Sequence, residues 1–159
     1  MAALDVDHQG AGMNRLSLRL VDAELEGGES CRAIQISIDG TDLIDLAREA
    51  EHPFALREGH PTLAGAYAWV TLSPEALLAL QGKEDGWNGK ASLLQCTCGS
   101  EGCWPLLARV SLGESEVVWS EFEQPHRGTE SAGGHWVHDT LGPFTFERSR
   151  YDEEMRAIA

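Results

Sequence analysis

Basic residues are scarce in this sequence of 159 residues: Lys and Arg number 12 against 26 Asp and Glu, a formal net charge of −14 at pH 7. Such a chain repels nucleic-acid phosphates and anionic bilayer surfaces, so neither is an expected partner. No apolar run approaches the ~20 residues of a membrane-spanning helix, and Met1–His8 lacks the basic-then-apolar order of a secretory leader. The expectation is a cytoplasmic protein. A Gly-rich phosphate loop, a Gly-x-Ser-x-Gly elbow and a His-Glu-x-x-His helix are also missing, which removes the familiar nucleotide, hydrolase and metalloprotease signals.

Cysteine is sparse as well, four in all, but Cys96, Cys98 and Cys103 fall in one short stretch with Gly99, Gly102, Trp104 and Pro105. A chain of this length can bury roughly 70% of its unfolded-state surface, so it needs no covalent staples. In a reducing compartment, clustered cysteines bind metal or react rather than form structural disulfides. Cys31 stands apart from the other three.

The rest of the chain predicts one α+β domain over residues 14–159, preceded by a flexible arm over 1–13. The domain is expected to hold a largely antiparallel sheet of six or seven strands with two or three packed helices. Arg15–Leu20 and Ala33–Ile38 alternate strictly and predict paired antiparallel strands around an acidic turn. Thr41 is placed to cap a helix over Asp42–Ala50 with Leu43, Leu46, Ala47 and Ala50 on its apolar stripe, and His52-Pro53 reads as its stop. Ala66–Leu72 has strand composition. Ser73-Pro74-Glu75 opens a second helix that runs to about Leu80, and Lys83–Lys90 reads as a mobile loop. Phe144-Thr145-Phe146 predicts a last strand. A terminal helix follows, with Ser149 and Asp152 as a capping box and Tyr151, Met155 and Ile158 on one stripe.

Turn chemistry sets an expected register for the C-terminal half. A Gly-X turn at Gly113-Glu114 would set Val110 opposite Val117 and Ala108 opposite Trp119. A second hairpin, over 92–98 and 103–109, would set Cys98 opposite Cys103 with Cys96 on the same face. Extending this register places Gln124 beside Cys103 and brings His126 to the sulfur-bearing face. Cys96, Cys98, Cys103 and His126 then form a set suited to zinc, three thiolates and one imidazole. The one-residue gap of Cys96-x-Cys98 is narrower than the usual zinc spacing, and reduced thiols in a glycine-rich turn are the other reading of the same residues. His135, His138 and Cys31 are further candidates for the fourth ligand. The long loop 128–142 beside them reads either as a lid or as a mobile connection. Arg127 offers an anion-binding guanidinium or a partner for an acid, and Gln124 could orient it.

The pattern Cys96-x-Cys98-Gly99-x-x-Gly102-Cys103-Trp104-Pro105, then Val118-Trp119-x-x-Phe122-x-Gln124-Pro125-His126-Arg127, then Gly142-Pro143-Phe144-x-Phe146 with Tyr151, resembles a family of small uncharacterised bacterial proteins. The resemblance implies a bacterial cytoplasmic protein of one domain. It brings no established activity, but it joins Trp104, Gln124 and Arg127 to the cysteine loop in a single pattern. Two functions follow as expectations. One is a non-catalytic binding module with a structural zinc and an acidic face for a protein partner. The other is an enzyme that uses zinc or a cysteine nucleophile, with His126 as base and Arg127 holding an anionic substrate.

Overall fold

Alternating apolar residues build the first hairpin. In the computed structural model, which describes residues 13–83, 87, 89–99 and 102–159, β1 (Leu16–Glu24) and β2 (Ser30–Ile38) pair antiparallel with Leu16 opposite Ile38 and Glu24 opposite Ser30. Leu16, Leu18, Ile34, Ile36 and Ile38 are buried on one face. Both strands run further than the alternation predicts, because the added positions include the cross-strand pair Arg32 and Asp22, joined at 3.0 Å, where pattern gives way to charge. Most of the expected arm, residues 1–12, lies outside the described residues, as do 84–86 and 88 of the expected loop and Ser100-Glu101 of the cysteine turn.

The short β3 (Thr41–Asp42) leads into α1 (Leu43–Glu58). The cap is Asp42, one residue beyond the expected Thr41: its carboxylate accepts from the Ile44 amide at 2.9 Å. The expected stop at His52-Pro53 is wrong, since α1 passes through Pro53 and ends at Gly59 in the left-handed region. Proline removes the bond to the carbonyl four residues back, which belongs to exposed Glu49, where water can take its place. Beyond Pro53 the helix buries Ala55, and Glu51 before it is fully buried, so packing offsets the lost bond.

A 3₁₀ turn (Pro61–Leu63) and β4 (Ala68–Thr71) follow, then α2 (Pro74–Leu80), where Ser73 accepts from the Ala76 amide at 3.0 Å as predicted. The remaining elements are β5 (Ala91–Gln95), β6 (Leu106–Leu112), β7 (Glu116–Glu123), β8 (Phe144–Glu147) and α3 (Arg148–Ile158). Tyr151, Met155 and Ile158 are the buried stripe of α3, but its cap is Glu147 rather than Ser149, whose hydroxyl donates to the Glu147 carboxylate.

The strands form a sheet in the order β1-β2-β4-β5-β6-β7-β8, antiparallel throughout, with β3 paired to β2. A parallel bridge between Asn14 and Phe146 brings its two ends together and curls it into a half-barrel. The structure is a single α+β domain, with three α-helices among the described residues. Helix α2 packs on β5, and α3 on β1, β7 and β8. Tyr151 ties these layers: its hydroxyl donates to the Leu80 carbonyl at the end of α2 and accepts from Trp119 Nε1 at 3.2 Å.

Both C-terminal registers differ from expectation. Leu112 faces Val117 and Val110 faces Trp119, two residues away from the predicted pairing. A Gly-X turn needs positive φ at Gly113, which does not have it; instead the Gly113 amide donates to Glu116 O at 2.7 Å and the turn forms one step later. A two-residue slip preserves the faces, so Ala108, Val117 and Trp119 are still fully buried. On the other side of β6, Ser92 pairs with Leu107 and Leu94 with Leu106, across an irregularity at Leu93. Leu93 and Leu94 are both fully buried. A bulge of this kind breaks the strict alternation on which the register argument rests.

Candidate metal centre

Because β5 ends at Gln95 and β6 begins at Leu106, the three cysteines lie on a loop rather than on paired strands. They converge nonetheless: the sulfurs of Cys96, Cys98 and Cys103 all lie within 4.8 Å of one another, close enough to hold a metal ion. Gly99 and Gly102 both take positive φ and permit the fold-back. At Gly99 a Cβ would come within 2.8 Å of the Leu25 side chain on the β1–β2 turn, so the loop rests closely on the first hairpin. Cys98 Sγ is 3.1 Å from Cys96 Sγ, and the Cys98 amide is 3.5 Å from the same sulfur. None of the four cysteines is joined in a disulfide.

The three thiols oppose one another's ionisation. Hydrogen bonding with Cys96 and then Cys98, followed by their like charge, pushes the Cys103 thiol from its ordinary 9.0 up to about 11. Ionising the third sulfur beside two others is unfavourable in isolation. A bound divalent ion inverts that balance and deprotonates its thiols outright. With zinc–sulfur bonds of about 2.3 Å, tetrahedral sulfurs stand about 3.8 Å apart, so the Cys96–Cys98 pair has to open by only about 0.7 Å.

His126 lies beside this cluster but outside the sulfur group. Strand β7 stops at Glu123, and Gln124 starts a 3₁₀ turn (Pro125–Arg127) by accepting from the His126 amide at 3.0 Å. The turn swings the imidazole against the loop: Nε2 sits 2.8 Å from Gly102 O, the ring stacks on Trp104 with centroids 6.0 Å apart, and Trp87 meets it edge-on. Gln124 is not beside Cys103 but beside Pro105, whose carbonyl accepts from its Nε2 at 3.0 Å. Cys31, on β2, lies against Thr71 of β4, and it too is outside the sulfur group.

Arg127 takes the ion-pair role rather than the anion-binding one. It grips Glu58 with Nε at 2.9 Å and Nη2 at 2.8 Å, while its guanidinium lies 5.0 Å from the Trp104 ring and 5.7 Å from that of Trp136. Trp136 Nε1 also donates to Glu58, at 3.0 Å. The Glu58 side chain is only 7% exposed. The Arg127 hydrogen bond, opposed by burial and helped by Trp136, holds its carboxyl below the ordinary 4.5. A depressed carboxylate contributes stability that is complete above its unfolded value and fades as pH falls through the folded one. Urea midpoints of wild type and Glu58→Gln should therefore differ by a constant amount above pH 4.5 and converge below it; a gap that persists at low pH would assign the effect to packing instead.

A second polar centre was not anticipated. Glu51 is fully buried and accepts from the Gly65 amide at 2.9 Å and from the Tyr67 hydroxyl at 2.5 Å, with His138 Nε2 2.7 Å from the same oxygen. Burial, then the charge of Glu51, pushes the Tyr67 hydroxyl well above the usual phenol range, so it stays a donor. Gln124 Nε2 also reaches that hydroxyl, at 3.2 Å. Gln124 thus connects the buried network to the exit of the cysteine loop. Loop 128–142 is anchored to this interior by Trp136, His138 and Leu141, all buried. Glu51 lies four residues after Ala47 on the apolar stripe, and an acid on that stripe was the available signal. Comparison with protein-family models, curated proteins and solved structures gives no match to this chain.

Proposed function

We propose that the protein is a non-catalytic binding module whose cysteine loop holds one zinc ion through Cys96, Cys98 and Cys103. The observation that carries this reading is the convergence of the three sulfurs within 4.8 Å on an open loop. Soft thiolates select zinc or copper(I) over hard cations, and a reducing bacterial cytoplasm is the setting in which such thiols stay available. No described helix is long and apolar enough to cross a membrane. The −14 charge suits a basic protein partner, approached by long-range attraction. The enzymatic alternative is less well supported, since His126 is engaged by Gly102 and Arg127 by Glu58.

Metal analysis of protein purified without chelator should find one zinc per chain, with three thiols protected from titration until EDTA is added. Cys96→Ser should lower the zinc content and expose the remaining thiols. A metal-free chain whose four thiols react alike would sink the reading. For the partner, a pull-down whose yield does not fall with salt would count against an acid-driven interface.

A further inference from the structure

Three thiols in mutual reach can do more than ligate a cation, because any two of them can be oxidised together. Cys103 is exposed, while Cys96 and Cys98 are half-buried, so a reagent arriving from solvent meets Cys103 first. Cys103 hydrogen-bonds with Cys96 and Cys98, and all three sulfurs lie within 4.8 Å of one another. A neighbouring sulfur is thus in place to attack whatever group Cys103 takes up.

The backbone selects the pair. A bridge from Cys96 to Cys98 closes a ring through one intervening residue, Thr97, which cramps the specific geometry that a disulfide needs. A bridge from Cys96 to Cys103 instead spans the turn that Gly99 and Gly102, both at positive φ, already fold back. Each end of that turn is held: the Gly99 amide donates to Cys96 O at 2.9 Å, and His126 Nε2 donates to Gly102 O at 2.8 Å.

We propose that Cys103 and Cys96 form a reversible disulfide by exchange with low-molecular-weight disulfides, with Cys103 as the attacking thiol and Cys96 as the resolving one. Cys103 loses its proton to water, and its sulfur attacks one sulfur of the reagent, RSSR. The reagent's S–S bond breaks, the thiolate RS⁻ leaves and takes up a proton, and a mixed disulfide stands on Cys103. Cys96 in turn gives up its proton, attacks Cys103 Sγ and displaces the second RSH. Two thiols are oxidised to one disulfide, and RSSR is reduced to two RSH. The inference goes beyond the zinc reading and is independent of it. In a zinc-loaded chain the same bridge removes two of the three ligands and releases the ion.

The test treats the metal-free full chain with hydroxyethyl disulfide, alkylates the remaining thiols and maps the products by mass spectrometry. The expected product is lighter by two hydrogens, with Cys96 joined to Cys103, Cys31 and Cys98 alkylated, and all thiols recovered with dithiothreitol. Cys103→Ser should slow thiol loss roughly tenfold, because only half-buried thiols of the group then remain, whereas Cys31→Ser should leave the rate unchanged. A Cys96→Ser/Cys98→Ser chain should stop at the mixed disulfide on Cys103. A stable mixed disulfide on wild-type Cys103, any bridge other than Cys96–Cys103, or a Cys103→Ser chain that reacts as fast as wild type would overturn the proposal. In a second arm, zinc-loaded chain should release its ion in step with the bridge, read with a zinc-chelating dye. A chain that never binds zinc sinks the metal reading alone, since the bridge is measured in metal-free protein.

Discussion

Glu51→Ala is expected to lower the unfolding free energy by about 3–5 kcal/mol, a large share of the roughly 5–15 kcal/mol that holds a domain of this kind together. The substitution removes the acceptor of three groups that have no access to water. Gly65 N, Tyr67 Oη and His138 Nε2 all converge on that one carboxylate, and each donor left unpaired in the interior costs about 1–3 kcal/mol. Glu51→Gln should recover part of the loss, because the amide oxygen can still accept from Gly65 N or Tyr67. The measurement is equilibrium urea unfolding, in which a shifted midpoint at constant slope reports stability alone. A loss below 1 kcal/mol would mean that water reaches the site and replaces the carboxylate. A double-mutant cycle with His138→Ala should show strong coupling, since either single change strands the other partner.

Trp119→Ala should have an effect of similar size, about 3–5 kcal/mol, through a different mechanism. Trp119 is fully buried on β7, edge-on to Phe146 with centroids 5.0 Å apart and perpendicular to Tyr151 at 6.2 Å. Truncation leaves a cavity where β7, β8 and α3 meet, and it also takes away the indole N–H that Tyr151 accepts. Trp119→Phe separates the two effects. It keeps most of the apolar surface, loses the hydrogen bond, and should cost about 1–2 kcal/mol. If both variants cost the same, the hydrogen bond rather than the packing would dominate at this position.

Periodicity made the first hairpin, α2 and the buried stripe of α3 legible, because each follows one period without interruption. Leu16, Leu18, Ile34 and Ile36 alternate as a half-buried strand should. What was not legible came from single residues that break a period. Pro53 reads locally as a helix end, yet α1 runs on to Glu58, with Ala55 buried beyond the proline and Glu51 bonded before it. Misplacing that end also hid Glu58, which lies about two turns beyond Ala50 and holds Arg127. The irregularities at Leu93 and between Leu107 and Arg109 are similarly silent in sequence, where two adjacent leucines look like a continuing strand.

The cysteine site was legible in its residues and not in its construction. Strand register brings Cys96, Cys98 and Cys103 together, as they are in the structure, although the loop rather than the ladder gathers them. The same register sets Gln124 beside Cys103. The displaced register and the 3₁₀ turn at Pro125 put Gln124 against Pro105 and Tyr67 instead, and leave His126 on Gly102. Side-chain bonds of this kind form between residues distant in sequence and leave no periodic trace.

The close seating of Gly99 on Leu25 couples two parts of the chain that share no strand pairing. Thr97 sits between two of the three sulfur donors; its carbonyl accepts from the Glu26 amide at 3.3 Å, and its hydroxyl donates to the Glu26 carboxylate. Any ion that immobilises Cys96 and Cys98 therefore also restrains the tip of the β1–β2 hairpin, 71 residues earlier in the chain. The Glu26 amide becomes a remote reporter of occupancy, exchanging with solvent deuterium more slowly when the sulfurs are filled. A surface that meets a partner at that acidic tip would in turn sense whether the metal is present.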